Sequence, residues 1–343
     1  RASVAFGEGN IAPATYSTIV GGLSNQIYLS AGSIQDGEGA TIGGGAFNYI
    51  RGIYSIIGGG ACNCIVEPYS DSTSAATLPL EFYPPIEWSI PSTIVGGFCN
   101  ISCGVGTAIG GGSLNYTCCS YSTIGGGTTN LACEYSTIAG GSSNNANTCS
   151  FIGGGSSNIA CCNGVVAGGS YNIACGNFST IGGGGNNKAC GYFSTIGGGQ
   201  LNTACCDCST IAGGYANDAS GTGSTIGGGS ENVTLSSYST IGGGCRNKSG
   251  SFHAGVIAGG CCNCVNITSS WGVVGGGQFN CSYGDLSTIA GGGYSTANGP
   301  WSTVGGGVNN CACTCGATVG GGQNNCAWGN LSTVAGGGFN IAL

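Results

Sequence analysis

Cysteine is the residue type with the most chemistry to offer in this chain: 24 thiols accompany a single histidine, His253, and no methionine. Thiolates cross-link, bind soft metals or attack electrophiles, and their spacing and surroundings decide which. The spacing here is ordered. Cys103, Cys118, Cys133, Cys161, Cys175, Cys190, Cys205 and Cys313 each lie nine residues after an apolar Ile or Val of a recurring segment. Cys64, Cys264, Cys281, Cys311 and Cys326 lie seven residues after one. A small residue dominates between the two offsets, so both project to the opposite face of one strand, and the first series forms a thiol column. Three readings stay open. Disulfides between neighbouring turns or between subunits lead, because a stacking distance of about 4.8 Å lies inside the roughly 4.4–6.8 Å Cα window of a disulfide. Thiols serving as small apolar groups in an interface come next. Metal binding comes last: Cys205-Cys206-Asp207-Cys208 and Cys261-Cys262-Asn263-Cys264 contain C-x-x-C but no second knuckle at zinc-finger spacing.

The other residue types argue against catalysis. His253 stands alone, and the acids are scattered singly, without the carboxylate pair a glycosidase needs. The Gly-Gly-Gly tracts lack the following lysine and helix of a phosphate loop, and a motif that recurs along the whole chain is architecture. No enzyme activity, no cofactor and no bound metal are expected.

The element that positions these residues is a repeat, S-T-I-G-G-G-x-x-N-x-A-x-G-x-x. Anchored on the apolar residue before the glycines, it occurs 21 times between Val4 and Val334, and from Ile94 onward the spacing is 14 or 15 residues with one 16 and one 17. Glycine falls three residues after every anchor, and asparagine six residues after every one except where Ser295 replaces it. A period this short excludes helical repeats, which need about 33 residues or more. It suits one coil of a flattened parallel β-solenoid, with two strands of about five residues joined by tight turns. Glycine fits the turns where a Cβ would clash. Thr-Ile and Thr-Val pairs favour strands. The asparagines Asn130, Asn144, Asn158, Asn172, Asn187 and Asn202 stack as an amide ladder. The expected fold is all-β, a single solenoid over residues 1–343 with two inserts, a smaller one at 26–40 and a larger one at 64–91.

On these residues the unit resembles the head repeat of YadA-like trimeric autotransporter adhesins, whose pattern is N-S-V-A-I-G-x-x-S-x-A-x-G. Thr123-Ile124-Gly125-Gly126-Gly127 lies over S-V-A-I-G, Asn130 over the later Ser and Ala132 over the Ala. The match recurs over nearly the whole chain. Similar G-G-G-x-x-N arrays occur in surface fibres of bacteria and large viruses. The resemblance implies a left-handed parallel β-roll that trimerises through apolar columns. Gly126 departs from it, standing where the family has a second apolar residue and thinning the seam between subunits.

Charge and composition bound the partners. Twelve acids against five bases give a net charge of −7, which excludes a basic nucleic-acid footprint. No apolar run reaches the roughly 18 residues of a membrane helix, so no membrane insertion is expected. The cysteine content points to an oxidising, extracellular setting at a cell or virion surface. The expected partner is the chain itself, as a trimer or stacked head-to-tail, since the first and last units carry no polar cap. The larger insert holds five of the seven prolines together with Tyr69, Phe82, Tyr83 and Trp88, a candidate contact loop for a host surface or glycan. Of the N-x-S/T sequons, Asn177, Asn266 and Asn330 lie outside the asparagine column and are the better glycosylation acceptors. The expected function is a structural fibre subunit; the alternative is an adhesin or receptor-binding spike acting through 64–91.

Overall fold

A computed structural model of the chain describes residues 1–28, 37–66, 91–250, 253–266 and 270–343. Two units, Arg1–Asn163 and Gly164–Leu343, divide the chain. Each is a parallel β-solenoid, and no helix occurs among the described residues.

Each coil meets the next along three lines. The first is a two-residue strand ending on the apolar anchor. In the first unit Thr93–Ile94, Ala108–Ile109, Thr123–Ile124, Thr137–Ile138 and Phe151–Ile152 pair in parallel and in register. In the second unit Val165–Val166, Thr180–Ile181, Thr195–Ile196 and Thr210–Ile211 do the same. The second line is a single bridge, such as Thr128 to Ser142 or Gln200 to Tyr215. The third is another two-residue strand, such as Leu131–Ala132 beside Asn145–Ala146, or Thr203–Ala204 beside Asp218–Ala219.

Nearly all the strands have two residues, not the five expected, and the backbone explains why. In most coils two turn positions hold non-glycine residues in the left-handed region. One lies three residues before the anchor and the other five after it: Tyr121 and Thr129 around Ile124, for example, have φ of 58° and 57°. The glycine three after the anchor adds a third break, with φ of 93° at Gly127. Extended pairing cannot run through these points, so each strand is cut short. An alternation of Gly with Tyr or Phe at one offset (Gly106, Gly223 and Gly316 against Tyr121, Phe178 and Phe193) is the sequence trace of this left-handed site.

The interior is narrow and layered. The anchors Ile124, Ile138 and Ile152 and the alanines Ala132, Ala146 and Ala160 are fully buried. They share the interior with asparagine and with a serine two residues before most anchors, such as Ser122 and Ser136. The smaller insert is shorter than expected, because Gln26–Ile27 is a strand paired with Tyr49–Ile50; residues 29–36 lie outside the described residues. The larger insert follows the strand Cys64–Val66, and its contact candidates Tyr69, Phe82, Tyr83 and Trp88 lie outside the described residues.

Candidate functional site

The most highly built feature is the asparagine column. Asn130 Nδ2 donates to Asn115 Oδ1 one coil earlier at 3.0 Å and reaches Gly126 O and Gly141 O at 3.0 Å each. The Asn130 backbone N–H donates to the same Oδ1 at 3.1 Å. Asn144 and Asn158 continue the pattern, each donating to the Oδ1 of the preceding member. In the second unit Asn187 donates to Asn172 and Asn202 to Asn187, at 3.1 Å in both cases. Each side-chain amide thus serves its own turn and both neighbouring coils. The glycine three after the anchor is part of the same device: a Cβ on Gly127 would lie 2.0 Å from Gly141 O and 2.9 Å from Asn130 Nδ2. Burial of so many polar groups is tolerable because the asparagines of the column are hydrogen-bonded.

The serine column, whose role the sequence did not reveal, is less uniform. Ser136 Oγ donates to Cys133 O and Ala146 O, whereas Ser179 Oγ and Ser194 Oγ are buried without a partner.

The cysteines seven and nine residues after an anchor lie on the outward side of the strand that carries the buried alanine, whereas others, such as Cys62, Cys149 and Cys208, occupy left-handed turn positions. Cys103, Cys118 and Cys133 sit in consecutive coils, each half-buried, with backbone N–H groups donating to Thr117, Ala132 and Ala146. Burial, assisted by the hydrogen bond with Cys133, pushes the Cys118 thiol up to about 11. The hydrogen bond with Cys103 pushes the Tyr116 hydroxyl up to about 12. Cys103, Cys118, Cys119 and Glu134 line an open hollow of about 490 Å³. In the second unit burial raises the Cys190 and Cys205 thiols, opposed by the nearby Lys188 ammonium. Cys161 and Cys175 are each disulfide-bonded. Cys311 and Cys313 are joined within one coil, with Cα atoms 5.5 Å apart. The bond at Cys311 therefore differs from the expected link between neighbouring turns. Residues i and i+2 of a strand face the same way, so the two sulfurs meet across the inward-facing Ala312.

Three further outward features escaped the sequence reading. Cys264 and Cys281 are register partners in successive coils. The hydrogen bond between them favours the ionised form of Cys281 and pushes Cys264 up, so the pair shares a proton. Aromatic residues at the left-handed turn positions stack between coils. Tyr121 and Tyr135 have ring centres 5.2 Å apart with planes at 12°, and Phe178 and Phe193 are 5.3 Å apart at 16°. Arg246 Nε donates to Glu231 at 2.6 Å across one coil, holding that exposed carboxyl below its ordinary range.

The sequon asparagines divide as their offsets imply. Asn100, Asn115, Asn232, Asn247 and Asn280 are buried in the ladder. Asn177 and Asn266 are half-buried, and Asn330 is exposed. His253 lies 6.1 Å from the Trp271 ring.

Fold and columns together define a parallel β-solenoid repeat protein with a hydrogen-bonded polar spine. The family described as the ubiquitous surface protein adhesin repeat matches residues 209–221. Those residues, Ser209 to Gly221, make up most of one coil, with Ile211 as anchor, Gly214 at the left-handed turn, Asn217 in the ladder and Ala219 in the core. The chain thus carries a repeat similar to that of a surface adhesin. No curated protein matches the chain.

Proposed function

We propose that this is an extracellular surface protein whose solenoid is a passive, non-catalytic scaffold, the structural subunit of an adhesin-like fibre. One observation carries the reading: the coil that matches the adhesin repeat is interchangeable with its neighbours. Asn217 Nδ2 donates to Asn202 Oδ1, and Asn232 Nδ2 donates to Asn217 Oδ1, each at 3.1 Å. A repeat that fills every internal requirement by stacking is suited to extension and stiffness rather than to a reacting site.

Self-association is supported by glycines the coil itself does not require. An added Cβ at Gly126 or Gly198 would meet nothing within 4 Å, and neither residue has φ in the left-handed region. A bare ridge lets a second copy approach closely. Sedimentation and electron microscopy of the purified chain test this. Wild type is expected to assemble, and the double variant Gly126→Thr, Gly198→Thr to remain monomeric with an unchanged β circular dichroism spectrum. A wild-type chain that sediments as a monomer at all concentrations contradicts the fibre.

The adhesin repeat at 209–221 favours a second reading, in which the protein attaches to a host surface or glycan through the 64–91 insert. Deletion of residues 67–90, which spares the paired strand Cys64–Val66, separates the two: attachment lost with assembly intact supports adhesion, and attachment unchanged opposes it.

A further inference from the structure

The outward face of the coils around Ala312 and Ala327 gathers three cysteines. Cys311 and Cys326 are register partners one coil apart, and Cys313 follows Cys311 on the same face. Their sulfurs all lie within 4.8 Å of one another, and all three residues are half-buried. Cys313 Sγ is 3.1 Å from Cys326 Sγ. Backbone N–H groups of all three are anchored, to Asn325, Ala327 and Asn340 carbonyls at 2.9, 2.9 and 2.8 Å, so the ladder rather than a flexible loop sets the spacing.

We propose that, when reduced, Cys311, Cys313 and Cys326 form a three-thiolate site for a soft monovalent cation, Cu(I). Thiolate sulfur selects soft ions. Zinc almost always completes a tetrahedron with four ligands in structural sites, and this group among the described residues offers three. A trigonal cation needs no fourth. N–H donors also face the sulfurs, as they do around metal thiolates. Asn298 Nδ2 lies 3.7 Å from Cys311 Sγ. The Trp328 side chain is hydrogen-bonded to Cys326 as well.

The Cys311–Cys313 disulfide is the oxidised alternative to the loaded site. A small dithiol opens it by delivering two electrons and two protons and leaves as a cyclic disulfide. Cu(I) then displaces three thiol protons, giving a tris-thiolate of charge 2−. The site would therefore load only under reducing conditions.

The test titrates anaerobic, dithiothreitol-reduced and desalted full-length protein with Cu(I) against the competing chelator bicinchoninate. Wild type is expected to withdraw one equivalent ahead of its other thiols. Cys311→Ser and Cys326→Ser should each weaken that equivalent by at least about tenfold, while Cys149→Ser, at an exposed turn in the other unit, leaves it unchanged. Circular dichroism checks that each variant folds. X-ray absorption of the one-equivalent wild-type sample should find three sulfur neighbours around copper, a readout independent of the variants. Two sulfur neighbours, or a first equivalent held as tightly in either ligand variant as in wild type, overturns the proposal.

Discussion

Within the second unit the chain contains its own ladder mutant. In the coil of Asn217, the side chain bonds Asn202 Oδ1, Gly213 O and Gly229 O at 3.1, 3.1 and 3.0 Å, and the backbone N–H also reaches Asn202 Oδ1. In the coil of Ser295 the column narrows. The Ser295 backbone N–H still donates to Asn280 Oδ1 at 3.0 Å, but its hydroxyl turns to Gly293 O and accepts the Asn310 N–H, both at 3.3 Å. A hydroxyl cannot span the distance an amide does, so the bonds of Nδ2 to the preceding Oδ1 and to the flanking glycine carbonyls have no counterpart. Register nevertheless persists, since Thr296 pairs with both Cys281 and Cys311. The difference teaches that strand pairing and the Ile and Ala core are sufficient to align one coil, whereas the amide column adds strength and specificity across many.

Variants can break that comparison. The largest effect is expected from Gly214→Ala. Gly214 has φ of +100°, and a Cβ there would lie 2.2 Å from Gly229 O and 2.7 Å from Asn217 Nδ2. It should cost about 3 kcal/mol from strain and lost stacking together, seen as a lower urea midpoint or an insoluble product. Asn217→Ser recreates the Ser295 coil in a regular stretch and should cost about 2 kcal/mol, because buried amide partners lose their bonds. Ser295→Asn runs the other way and should gain about 1 kcal/mol in the same urea titration. If it destabilises, the Ser295 coil is not a simple gap in the ladder.

The smallest effect concerns chemistry on the outward face. The Cys281 thiol is held low chiefly by its hydrogen bond with Cys264, so it ionises at lower pH than an ordinary thiol and alkylation by iodoacetamide should accelerate from a lower pH. Cys264→Ala removes the donor and should shift that acceleration to higher pH without altering the fold. Residue-resolved mass spectrometry of alkylated protein reads both, and identical pH profiles in the two proteins contradict the shared proton.

Much of this architecture was legible because it is periodic. Glycine at Gly127, Gly199 and Gly322 and asparagine at Asn130 and Asn202 each recur at a fixed offset, and repetition converts a weak local preference into a clear register. Strand length was not legible. It depends on left-handed φ at residues such as Tyr121 and Tyr135, which are poor formers of that conformation and hold it because stacked neighbours overdetermine it. The cysteine face was half legible: offsets from the anchor identified the side of the strand. Which sulfurs meet depends on side-chain rotamers and on pairing inside one coil, as at Cys311 and Cys313. The aromatic stacks were half legible in the same way: Phe178 and Phe193 share one offset from their anchors, but only the left-handed turns place their rings 5.3 Å apart.

The interlocked amide column can be probed directly by side-chain hydrogen exchange in protein labelled with ¹⁵N only at asparagine. Buried amides such as those of Asn130, Asn202 and Asn217 should keep their Nδ2 protons orders of magnitude longer than exposed Asn330, because exchange requires neighbouring coils to part. Exchange of every asparagine side chain at the rate of a free amide would mean that the coils are not bound to one another through this column.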